Sequence, residues 1–162
     1  MGNFPVVPFS GEVHKSPSNM NGTNNIDSIL VAKAGEFQAI VNNKINVSLT
    51  TSERVGFARF LFDDSTQKGS IAIGSGVNST NVSSANVQIT SDRTFEGYAK
   101  GGDFCGTEIN YKIYFAVEFD RPTLRQKLWK GSDIFDSKEV TGKDSGVLFY
   151  FDTSEDKEVN YK

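Results

Sequence analysis

The sequence predicts an all-β domain, an antiparallel β-sandwich that forms part of a larger sandwich, and three observations carry that expectation. The run from Gly101 to Pro122, GGDFCGTEINYKIYFAVEFDRP, alternates strictly. Ile109, Tyr111, Ile113, Phe115, Val117 and Phe119 share one side of a period-2 strand, and Asn110, Lys112, Tyr114, Ala116 and Glu118 share the other. The 13 Phe and 5 Tyr residues arrive in short apolar segments separated by Gly, Asn, Ser and Asp clusters, as strands separated by turns do. Helical periodicity is confined to a single turn. With 162 residues the chain suits one domain with a substantial core.

Taken in order, residues 1–34 read as an irregular lead-in coil, because Pro5, Pro8 and Pro17 interrupt regular structure and SPSNMNGTNN is a polar loop. Residues 35–162 carry the sandwich strands. Glu36 to Val41 and Ile45 to Thr51 form a hairpin around Asn42 and Asn43, residues that tolerate the positive φ of a tight turn. Val55 to Phe62 is apolar on both sides, which predicts burial between layers. Ser70 to Ile73, Asn86 to Thr90 and Arg93 to Lys100 are shorter strands, the last two joined near Ser91 and Asp92, while GSGVNSTNVSSA between the first two reads as an exposed loop. Ile109 to Phe119 is expected to be a central strand with Ile113, Phe115 and Val117 in the core, closed by Pro122. Leu124 and Leu128 share an i, i+4 face and make Thr123 to Lys130 the one plausible helical turn. Val147 to Asp152 is a clear strand, and Glu158 to Lys162 begins another.

The charge pattern excludes several function classes. A net charge of −3 with scattered basic residues lacks the concentrated positive face that nucleic acid demands. Arg121, Arg125, Lys127 and Lys130, flanked by Asp120 and Asp133, read as a solvated connector. No apolar run approaches the roughly 20 residues of a membrane span. One cysteine and one histidine cannot build an internal disulfide, a thiolate zinc cluster, a multi-histidine metal site or a triad. Glycosidase chemistry needs two carboxyl groups flanking the scissile bond. The candidates Asp63 with Asp64, Asp133 with Asp136, and Glu155, Asp156 and Glu158 all sit in turn-like polar stretches and read as solvated charges, so no catalytic or metal residue is assigned.

Four segments, in order, resemble one family. YFAVEFDRP, approached through GGDFCG and preceded by FEGYAKGG, resembles the N-terminal β-sandwich domain of glycoside hydrolase family 92, the bacterial exo-acting α-mannosidases. GNFPVVPFSGEV resembles the stretch that leads into that sandwich, INVSLTTSERVGFARFLF its pair of central strands, and VTGKDSGVLFYFD with EVNYK the strands before the link to the catalytic domain. The resemblance implies a non-catalytic domain, compatible with a galactose-mutarotase-like arrangement, that packs on a helical catalytic domain of the same polypeptide and helps to wall the mannose pocket. It further implies an α-1,2-mannosidase acting on mannosides of N-glycans, with its carboxylates and calcium in that later domain. Family sequence is then expected before Gly2 and after Lys162, and the location is the bacterial periplasm or cell surface.

Five residues are candidates for substrate contact or the domain interface. His14 is either an exposed loop residue or a residue near that interface. Asp103, Phe104 and Cys105 lie in the glycine-rich GGDFCG loop, which is either a bulged hairpin connection or a loop shaped to meet another surface. Trp129 either packs in a core or offers a ring face to sugar. An apolar docking patch is expected to include part of GGDFCG or of the Gly2 to His14 coil. Two other readings compete: a stand-alone carbohydrate-binding module with an exposed aromatic platform, and a structural or adhesin-like sandwich.

Overall fold

The computed structural model of the protein describes residues 4–18, 24–75, 81–102 and 109–162. Its strands, in chain order, are β1 (Val6–Ser10), β2 (Ile26–Lys33), β3 (Glu36–Val41), β4 (Ile45–Thr51), β5 (Gly56–Phe62), β6 (Lys68–Ser75) and β7 (Asn81–Ile89). They continue as β8 (Thr94–Gly102), β9 (Tyr111–Glu118), β10 (Arg125–Lys130), β11 (Asp133–Phe135), β12 (Glu139–Thr141), β13 (Ser145–Asp152) and β14 (Glu158–Tyr161). Three antiparallel sheets result, ordered β1-β6-β13-β10-β11, β12-β7-β8-β9 and β14-β5-β4-β3-β2.

The second and third sheets join at one corner. A bridge pairs Phe119 with Tyr161, and the backbones of Glu118 and Lys162 exchange hydrogen bonds of 2.9 and 3.1 Å. Joined at that corner alone, the two make one layer in which β9 stays the edge of the second sheet over most of its length, and the five-stranded first sheet lies against it. One core cluster draws on all three sheets: Ile73, Val147 and Phe149 from the first, Val87 and Phe95 from the second, Ile45 and Phe60 from the third. Each such side chain stabilises the fold by roughly 1.5–3 kcal/mol through removal from water. Phe119 holds the corner, with ring centroids of Phe149, Phe151 and Tyr161 at 4.8, 5.0 and 5.6 Å.

The first sheet is covered on its other face too. Ala72, Trp129, Leu148 and Tyr150 make a smaller cluster there, packed against Phe9, Val13 and Ile134. Residues 11–18 cross this face as a strap. Tyr150 Oη donates to the Val13 carbonyl at 2.7 Å, Ser70 Oγ donates to the Gly11 carbonyl at 2.7 Å, and Glu12 pairs with Lys68 at 2.7 Å and Arg125 at 3.1 Å. This is why β6 and β13 are buried along almost their whole length, the pattern of strands covered on both sides.

Several expectations are corrected. The span 1–34 is not wholly irregular, since it contains β1 and β2. Pro8 fits in β1 because β1 is an edge strand, where a missing N–H costs no ladder bond, and its carbonyl takes a hydrogen bond from Asn24 Nδ2. Thr123 to Lys130 is not helical: Arg125–Lys130 is β10, paired on both sides, and Leu124 stays 60% exposed. Leu128 and Trp129 are consecutive and both fully buried, so their wall is two-sided, which an i, i+4 reading mistakes for a helical face. The strand in YFAVEF is not central. β9 is the edge of the second sheet, Ile109 lies outside it at 69% exposure, Ile113 is exposed, and Phe115 and Val117 are half-buried against the core. Clean alternation marks one covered face, which an edge strand has as well as a central one. β5 is likewise one-sided, with Ala58, Phe60 and Phe62 buried and Phe57 open. Of the expected loop GSGVNSTNVSSA, Gly74 and Ser75 end β6 and Asn81 to Ala85 belong to β7. The β3–β4 hairpin is as expected, with Asn42 and Asn43 at φ 52° and 51°.

Candidate functional site

The joined layer reaches beyond the sheet that faces it. The first sheet ends at β1, while β4, β3 and β2 continue past that edge, and the overhang leaves a groove of about 700 Å³. Phe4, Val6 and Pro8 line one wall, and Phe37, Leu49 and Phe57 line the other, with Tyr161 at the corner. The apolar character extends outward: Ile26 is 59% exposed, Phe57 48%, and β2 presents Ile29 and Leu30 along a free edge. This open apolar groove is the candidate surface for contact with further polypeptide. Burial in the groove pushes the Tyr161 hydroxyl up to about 12.

The groove is built by ordinary strand physics. Phe37 and Leu49 are cross-strand partners in β3 and β4, and Leu49 pairs in turn with Ala58 of β5. They therefore project from one face, toward the space where the first sheet has run out. At β1, Pro8 and the Asn24 side chain occupy the outward backbone positions, which blocks simple extension of the first sheet by another strand.

The sequence-derived candidates fall elsewhere. His14 is exposed on the strap, one residue beyond the anchored Val13. Trp129 is 0% exposed and offers no ring face to a ligand, and among the described residues its Nε1 has no hydrogen-bond partner. Of its two readings, its burial fits packing. Asp103, Phe104 and Cys105 lie outside the described residues. The apolar groove takes in Phe4 to Pro8 of the lead-in segment. Ile26, Phe37 and Phe57 were not singled out as site residues. Their signal is in the sequence as apolar residues on both faces of IDSILVAK and at the start of GFARFLF.

Several carboxylates in the polar turns are held as hydrogen-bond acceptors. Asp63 is held below the usual carboxylate range by the Thr66 hydroxyl, and Asp156 by the backbone N–H of Glu158. Glu158 is lowered by Asn160 and Arg59, and Asp136 pairs with Lys127 at 3.0 Å. A general acid in glycoside hydrolysis requires the opposite shift. Among the described residues no three His, Cys, Asp or Glu side chains gather as a metal site, and no helix is long and apolar enough to cross a membrane.

Comparison with known proteins places this geometry. No curated protein sequence matches the chain significantly. Among solved structures, the family GH92 glycosyl hydrolase CcMan5 superposes with a TM-score of 0.82 at 22% identity, covering 99% of this chain and 23% of that one. A family GH92 α-mannosidase from Bacteroides thetaiotaomicron, in complex with mannoimidazole, gives 0.79 at 19% identity, with 99% and 23% coverage. A family GH92 inverting mannosidase from Bacteroides thetaiotaomicron VPI-5482 gives 0.78 at 15%, with 98% and 21% coverage. These likenesses establish the fold, and the chain spans about a quarter of those proteins' length. The family model for the glycosyl hydrolase family 92 N-terminal domain matches residues 1–162 in full. The chain therefore belongs to the N-terminal domain family of glycosyl hydrolase family 92.

Proposed function

We propose that this domain is the non-catalytic β-sandwich part of a larger glycoside hydrolase that cleaves α-mannosides, and that the apolar groove is where it packs on the remaining polypeptide. The observation that carries the reading is the match of all 162 residues to a family defined as an N-terminal domain. The groove agrees with it in kind, since interfaces between domains of one chain commonly bury roughly 600–1,500 Å². In this role the domain supplies shape, walling one side of a mannose pocket whose reacting groups lie elsewhere.

One solved relative is named an inverting mannosidase. Inversion uses an acid and a base about 6.5–9.5 Å apart, with water between them and the sugar. Because the chain matches an N-terminal domain and spans about a quarter of the length of those mannosidases, we assign both groups, together with calcium, to polypeptide outside this chain. Cleavage of α-1,2-linked mannose from N-glycans in the bacterial periplasm or at the cell surface is the corresponding proposal for substrate and place. The test is direct. The purified chain should not turn over an aryl α-mannoside with or without calcium, while the parent polypeptide should, and Leu49→Asp in the parent should abolish turnover by undocking the domain. Turnover by the chain alone, removed by one Asp or Glu substitution, would overturn the assignment.

A further inference from the structure

The groove does not account for the outer face of the second sheet, where aromatic and polar side chains stand in register. Tyr98 of β8 pairs across the ladder with Tyr114 of β9 and, on its other side, with Asn86 of β7. One row along, Glu96 stands between Gln88 and Ala116. Cross-strand partners share a face, so these six residues form a two-row array opposite the core. Ala116 offers this face only a methyl group, and beside it the Gly97 backbone lies bare, its side-chain position turned to the core side with Val87 and Phe115. A Cβ at Gly97 would fall 2.1 Å from the Asn86 carbonyl oxygen and 2.9 Å from the Phe115 ring, which fixes glycine there. The result is a shallow notch of about 480 Å³ with a floor of Gly97 and Ala116, a wall of tyrosine rings and a wall of amide and carboxylate groups.

The notch is pre-arranged. Lys112 Nζ lies 3.7 Å from the Tyr98 ring centroid and 4.7 Å from that of Tyr114, with the two rings 6.0 Å apart. That cation holds both rings from the row beyond them and leaves their notch-facing sides open. Asn86 is oriented by hydrogen bonds to Glu139 at 2.8 Å and Thr141 at 3.0 Å. Tyr114 is 69% exposed, so its ring is open to a ligand.

We propose that this notch binds a neutral hexopyranoside. The apolar C–H face of a pyranose stacks on Tyr114, while Gln88 and Glu96 present planar groups that engage neighbouring hydroxyls in pairs. A purely apolar ligand would strip water from Gln88 and Glu96 without repayment, and an anion would meet the Glu96 carboxylate. The volume falls in the range of small-molecule sites, roughly 300–1,000 Å³. The site lies on the opposite side of its sheet from the core and does not depend on the groove's occupant, so either reading can fail alone.

The experiment is NMR and calorimetric titration of the chain with methyl α-mannopyranoside, α-mannobiose and methyl β-glucopyranoside. Saturable binding of at least one sugar, with a dissociation constant on the order of 1 mM, should shift the resonances of Tyr98, Tyr114, Ala116 and Gln88. Tyr114→Ala should weaken it about tenfold or more, Gln88→Ala several-fold, and Tyr114→Phe little, because the ring face remains. Preference for the mannosides or for the glucoside supports the site and names its specificity. Absence of saturable binding for all three sugars, shifts mapped elsewhere, or binding unchanged in both Tyr114→Ala and Gln88→Ala overturns it.

Discussion

Two halves of this sandwich have similar apolar composition and opposite fates. Around β6 and β13 every apolar side chain has a partner, because the joined layer covers one face of the sheet and the strap at residues 11–18 covers the other. Around β2, β3 and the start of β5, equally apolar residues such as Ile26, Phe37 and Phe57 line an open groove. The difference teaches that burial is a property of what lies opposite a strand. The buried core resides in the first half, and the open apolar surface resides in the second.

The largest expected effect is in the covered half. Phe149 is 0% exposed, with ring centroids of Phe95 and Phe119 at 4.7 and 4.8 Å. Phe149→Ala should cost about 3–5 kcal/mol by lost transfer energy plus a cavity, measured as a fall in the urea midpoint. A much smaller loss would mean that the two layers do not share one core.

Phe115 sits between the two regimes. It is half-buried, 4.2 Å from Phe4 by ring centroid, and it fills the space against Gly97. Phe115→Ala should cost roughly 1–3 kcal/mol, because only part of its surface is withdrawn from water. Equality with Phe149→Ala in the same urea titration would erase the distinction between edge and centre.

Tyr161 gives the groove side a pH signature. Its hydroxyl is raised to about 12 in the fold against about 10 in an unfolded chain. The unfolded state thus loses the proton first, and stability present below pH 10 declines as pH rises toward 12. Tyr161→Phe should reduce that alkaline loss in thermal melts at stepped pH, and an unchanged alkaline limb would show that the hydroxyl is not buried.

The smallest effect is expected at Phe57. Phe57→Asp should alter the stability of the chain by no more than about 0.5 kcal/mol, while reducing binding of a hydrophobic dye. A loss of several kcal/mol would show that the groove is closed by the chain itself.

Much of the architecture was legible in the sequence. The β3–β4 hairpin is announced by Asn42-Asn43, and β13 by an unbroken apolar run, because turn chemistry and two-sided burial are written into residue type. The order of strands in space was not. Pro8 in β1, and Leu124 before β10 with Leu128 inside it, mislead a sequence reading because a proline's cost depends on whether its strand is an edge, and a leucine pair's meaning depends on whether both faces are covered. The candidate site was less legible still. His14 and Trp129 stood out by being unique, yet one is solvent-exposed and the other fully enclosed.

By itself the sequence determined that the chain is all-β and which family it resembles. The first follows from local conformational preference and the second from the wording of matched segments, and neither needs knowledge of neighbours. Only the tertiary structure decided that β9 is an edge, that Trp129 is closed off, and that a groove and a tyrosine notch remain open. Exposure is set by contacts between strands distant in the chain, as when Phe119 meets Tyr161 and ends one sheet where another begins. A pattern of period two records that a strand has two faces and is silent on what each one meets.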